Sequence, residues 1–69
     1  MHIRHYEITV RGRLSDSLIG AFDGLTASPT AGGTVLSGGV SDQAALFGVL
    51  ERIDALGLEL IAVRSVPAP

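Results

Sequence analysis

One stretch, GTVLSGGVSDQAALFGVLERIDAL from Gly33 to Leu56, constrains the fold of this chain more than any other. Thr34, Leu36, Gly38 and Val40 alternate with Val35, Ser37 and Gly39, the two-residue period of a half-buried strand. Ser41 and Asp42 then supply the hydroxyl and carboxylate oxygens that satisfy the orphan N–H groups of a helix start. Leu46, Val49, Leu50, Ile53 and Leu56 follow at helical spacing, and Gly57 is a natural stop at the C′ position.

A fainter copy lies upstream. Gly12-Arg13-Leu14-Ser15-Asp16 and Gly38-Gly39-Val40-Ser41-Asp42 share the pattern G-x-(L/V)-S-D at an offset of 26 residues. The first copy is preceded by an alternating strand, His5 to Leu14, with Tyr6, Ile8, Val10, Gly12 and Leu14 on one face. It is followed by Leu18, Ala21, Phe22 and Leu25 at helical spacing. Gly20 and Gly24 each cost such a helix about 1 kcal/mol relative to alanine, so it should be short. Leu25 to Ser28 reads as a short edge strand, since Pro29 cannot donate to a ladder, and Ala31-Gly32-Gly33 is turn chemistry. Leu58 to Val66 reads as a well-buried closing strand.

Two β-α-β units in series give β-α-β-β-α-β, a ferredoxin-like α+β fold with two helices on one face of a four-stranded antiparallel sheet. A β-α-β-α-β chain is the alternative if Leu25–Ser28 is loop. Residues 1–66 form the single domain of this reading and 67–69 a C-terminal tail. At 69 residues the domain is marginal without a disulfide, a metal or a partner, and there is no cysteine to supply the first. Hydrophobic residues make up 46% of the chain, too many for a disordered segment.

No apolar run approaches the roughly 18 residues of a membrane-spanning helix. The opening MHIRHYEITV has the rhythm of a strand and not the basic-then-apolar order of a signal peptide, so a cytoplasmic address is expected. All five cationic residues are arginine, which fits codon bias in a GC-rich genome. The net charge of −2 combines a local +2 over residues 1–13 with −4 over the rest. That balance argues against nucleic acid as a partner, as do the outward positions Thr9, Arg11, Val35 and Ser37, which lack the aromatics of an RNA-stacking sheet.

Little in the chain points to catalysis. The only histidines are His2 and His5 at the chain start, so no serine has an evident activating base. His5 and Glu7 share a strand face while His2 points the other way, which leaves a metal without a third ligand. The glycines match neither dinucleotide nor Walker patterns. No catalytic residue, metal or cofactor is implied.

The string HYEITVRGRLSD, with FDGLT and GTVLSGGVSDQAALFGVLERIDALGLEL, resembles a family of short uncharacterised proteins widespread in actinobacteria. The match runs from His5 to about Val66. Family members often carry proline where Gly39 stands and histidine where Phe47 stands, so any role of that histidine is missing here. The resemblance implies a single cytoplasmic domain and no assigned activity. The shape is also similar to ligand-binding ACT modules, at fold level alone.

Association is the expected mode of action, as a homodimer or with another protein, through the open sheet face or an edge strand. Thr9, Val35, Ile61 and Val63 are the expected open-face contacts, with Val63 and Ile61 turned outward if Leu58 and Leu60 face the helices. A bulge near Leu60 would reverse that assignment. Phe47 lies about 100° round from Leu46; it is either an exposed anchor or, the preferred reading, a filler of the seam between helices together with Ile19. The alternative function is a small anionic-ligand sensor or accessory subunit that uses Arg11, Arg13, Asp42 and Gln43 near the helix N-termini.

Overall fold

The computed structural model describes residues 4–67. His2 and the end of the tail, Ala68 and Pro69, lie outside the described residues. The elements run β1 (Arg4–Arg11), α1 (Asp16–Ile19), β2 (Thr26–Pro29), β3 (Gly33–Val40), α2 (Gln43–Ala55) and β4 (Leu60–Val66). The strands form one antiparallel four-stranded sheet in the order β2-β3-β1-β4, an α+β fold.

Alternation works as the pattern requires. Ile8 and Val10 of β1 and Thr34, Leu36 and Val40 of β3 are buried on the helix side. Leu46 and Ile53 of α2, Phe22 of the segment after α1, and Leu14 complete the core. β1 ends earlier than the expected His5–Leu14 run because Gly12 takes φ of +88° and turns the chain. Leu14 still reaches the core from that turn. The buried Thr34 hydroxyl donates to the Gly12 carbonyl at 2.8 Å and fastens the turn to β3.

The short first helix is shorter than its stripe, four residues with Ser15 as N-cap. Leu18 nonetheless packs against the core from α1, and Ala21 and Leu25 from the irregular segment that follows. That segment crosses closely over β3. A Cβ on Gly38 would meet the Gly24 carbonyl oxygen at 2.7 Å and Leu25 Cδ2 at 2.9 Å, so the crossing needs glycine there. The Arg52 guanidinium donates to the Ala21 carbonyl and ties α2 to the same segment.

Asp42 is the N-cap of α2, its carboxylate accepting from the Ala45 N–H at 2.8 Å. The far end closes with a Schellman pair: Leu58 N–H donates to Ile53 C=O and Gly57 N–H to Asp54 C=O, with Gly57 at φ +74°. Leu56 caps this end and is 40% exposed, so the core stripe stops at Ile53.

β4 departs from expectation. It is exposed from Leu60 to Ser65, not well buried, because it is an edge strand and α2 packs on β3. Its register against β1 slips by one residue: Val10 faces Leu60 and Thr9 faces Ala62, leaving Ile61 as the extra residue of a bulge.

Ile53→Ala should cost about 2–5 kcal/mol and Leu56→Ala about 1 or less in urea denaturation, because only the first leaves a cavity. Gly38→Ala should cost about 1–3 kcal/mol, since a backbone carbonyl must move to admit the methyl.

Candidate functional site

The open face of the sheet is built in rows of directly opposed residues. Ser28, Val35, Thr9 and Ala62 form one row across all four strands, and Thr26, Ser37, Glu7 and Arg64 the next. Thr9 and Val35 sit in the middle of this face and are half-buried by their neighbours. Two ion pairs run along its β4 side, Arg11 Nε to Glu59 Oε2 and Arg64 Nε to Glu7 Oε1, each at 3.1 Å. Both are solvent-exposed and contribute under about 1 kcal/mol. Val35 and Ala62 are the aliphatic members of these two rows and the other members are polar or charged, so the face lacks the aliphatic patch expected of it.

That patch lies elsewhere. Opposed residues of an antiparallel pair share a face, and Val63 stands opposite the buried Ile8. Val63 therefore belongs to the helix side, correcting the outward assignment, and the bulge at Ile61 is the reason. Leu60, opposite Val10, shares that side. Both remain accessible, Leu60 at 44% and Val63 at 37%, with Ile61 beside them at 47%.

Phe47 is 51% exposed and does not fill a seam between helices. Arg52, through its hydrogen bond to Ala21, and Ala45, which lines a hollow with Ala21 and Phe22, mark the flank of α2 turned to the α1 segment. Phe47 projects from the other flank, about 100° beyond Leu46. Ile19 does pack against the core. Leu60, Ile61 and Val63 are thus exposed together along β4, and Phe47 is exposed on the flank of α2 turned away from the α1 segment.

The four residues of the ligand alternative are not brought together. β1 and β3 are antiparallel, with Arg11 opposite Gly33 and Arg4 opposite Val40. Arg11 is the last residue of β1 and Arg13 follows it, whereas Asp42 and Gln43 follow the end of β3, about 20 Å away along the strands. Arg11 is already paired with Glu59 and Asp42 with the Ala45 amide. The cation beside the α2 N-terminus is Arg4, which lines a hollow of about 370 Å³ with Tyr6, Asp42, Gln43 and Leu46. The repeat suggested equivalence of the two turns; antiparallel pairing separates them.

Among the described residues, no three His, Cys, Asp or Glu side chains gather as a metal site, and Glu7 is engaged by Arg64. Among the described residues no helix is long and apolar enough to cross a membrane.

A family model described as a domain of unknown function (DUF8691) matches residues 5–64. No curated protein and no solved structure matches the chain.

Because Leu60 and Val63 are already accessible, Leu60→Ser and Val63→Ser should each cost about 1 kcal/mol or less in denaturation of the dilute protein. Val10→Ser, at a fully buried position, should cost several times more.

Proposed function

The chain belongs to the DUF8691 family, and we propose that it acts by association, as a homodimer joined through the β4 side of the sheet. The observation that carries this reading is the run of exposed Leu60, Ile61 and Val63 on β4, a strand that among the described residues has no neighbour on its outer side. Exposed apolar groups next to unpaired backbone N–H and C=O groups favour another protein surface over water. The driving force is the burial of large side chains, worth about 1.5–3 kcal/mol each when complete.

The same proposal takes the fold as ferredoxin-like. Its support is the strand order, which read from the other edge is β4-β1-β3-β2. Each helix joins two parallel strands that have a third strand between them.

Sedimentation at high micromolar concentration should find a dimer, and Leu60→Asp with Val63→Asp should return it to monomer. A wild-type chain that stays monomeric there overturns the reading.

One observation favours the rival, a small anionic ligand: Arg4 beside the N-terminus of α2 in the hollow with Gln43. Thermal melting with and without inorganic phosphate or free amino acids separates the two. The association reading expects no stabilisation; a rise in Tm that Arg4→Ala removes would favour the ligand.

A further inference from the structure

The two edges of the sheet differ. β2 is four residues long and ends in Pro29, whereas β4 is seven residues with no proline or lysine among them. Short strands and proline are devices that blunt an edge; β4 lacks both.

The bulge decides which backbone groups β4 offers. Arg11 N–H donates to Glu59 C=O, so Arg11, and by alternation Thr9 and Glu7, turn their amide groups toward β4. Val10, Ile8 and Tyr6 turn theirs toward β3. Their opposite numbers on β4, Leu60, Val63 and Ser65, therefore direct N–H and C=O away from β1, into solvent. Leu60 and Val63 are three residues apart, yet both point outward along the edge and both lie on the helix side. An unbulged strand would put them on opposite faces.

We propose, resting on the association reading, that β4 pairs antiparallel with β4 of a second copy, with Leu60 opposite Val63 and the two-fold axis between Ile61 and Ala62. In that register the outward amide groups of Leu60 and Val63 meet those of Val63 and Leu60 across the axis. The apolar pair is buried twice on the helix side. On the open face the same register sets Glu59 opposite Arg64. The existing pairs Glu7–Arg64 and Glu59–Arg11 then join into one alternating row, Glu7, Arg64, Glu59, Arg11, spanning the strands of both copies. This self-complementary charge pattern singles out a second copy as the occupant.

The cysteine-free chain makes the register measurable. Leu60→Cys and Val63→Cys are prepared separately, mixed under conditions of subunit exchange, and oxidised. Directly opposed residues lie about 5.5 Å apart at Cα, within disulfide reach, whereas each cysteine would stand about 10 Å from its own copy, beyond the roughly 7 Å limit. The mixture should give a covalent dimer, and that product should be lost when either variant is oxidised alone. Glu59→Cys with Arg64→Cys tests the same register from the open face, and Ser28→Cys on β2 should give no dimer with any of them. A sedimenting dimer that cross-links through neither pair overturns the register and leaves association standing. A wild-type chain that sediments as a monomer overturns both.

Discussion

One helix has to cover a sheet four strands wide, and most of the molecule's surface character follows from that mismatch. α2 is a cylinder about 10 Å across, while the outer strands of a four-stranded sheet stand about 14 Å apart. α1, at four residues, adds little cover. The irregular segment after it packs Phe22 and Leu25 toward the core near β3, and the Arg52–Ala21 hydrogen bond holds α2 against that segment. β4 is the strand left bare.

The core is accordingly concentrated on the central pair. Ile8, Val10 and Leu36 are fully shielded, and Ile53 comes down on them from α2. Leu60 and Val63 stand on the same side of the sheet, one strand further out, and keep a third or more of their surface. In a chain of 69 residues, apolar area left in water is a sizeable share of what stabilises the fold. A surface that covers β4 would complete the layer that α2 leaves unfinished.

The parts of the fold governed by short-range chemistry are legible in the sequence. The alternation of β3, the caps at Ser15 and Asp42, the stop at Gly57 and the short strand before Pro29 all appear at or within a residue or two of where their side chains require them, and β1 alternates as expected but ends three residues early at Gly12. The parts decided by a neighbour are not. No glycine or proline marks Ile61 as a bulge; the slip is defined only against β1, so Val63 reads as outward until its partner Ile8 is known. A leucine stripe says that α2 is covered but not which strands it covers, which is why Leu56 looks like core in the sequence and stands in solvent, while Phe47, off the stripe and expected in the seam between helices, is exposed too. At the candidate ligand site the internal repeat is itself misleading, because similarity in sequence carries no information about which end of the sheet each turn occupies.

The inequality of the two edges bears on how far any assembly can grow. A sheet with two open edges adds molecules without limit and ends as a fibre. Here the two edges are unequal: β4 is seven residues long, whereas β2 is four and closes with a proline that has no N–H to give. Were β4 to take up a second strand as proposed, the far side of β2 and Pro29 would stay a terminus, and assembly through the sheet would be closed and finite.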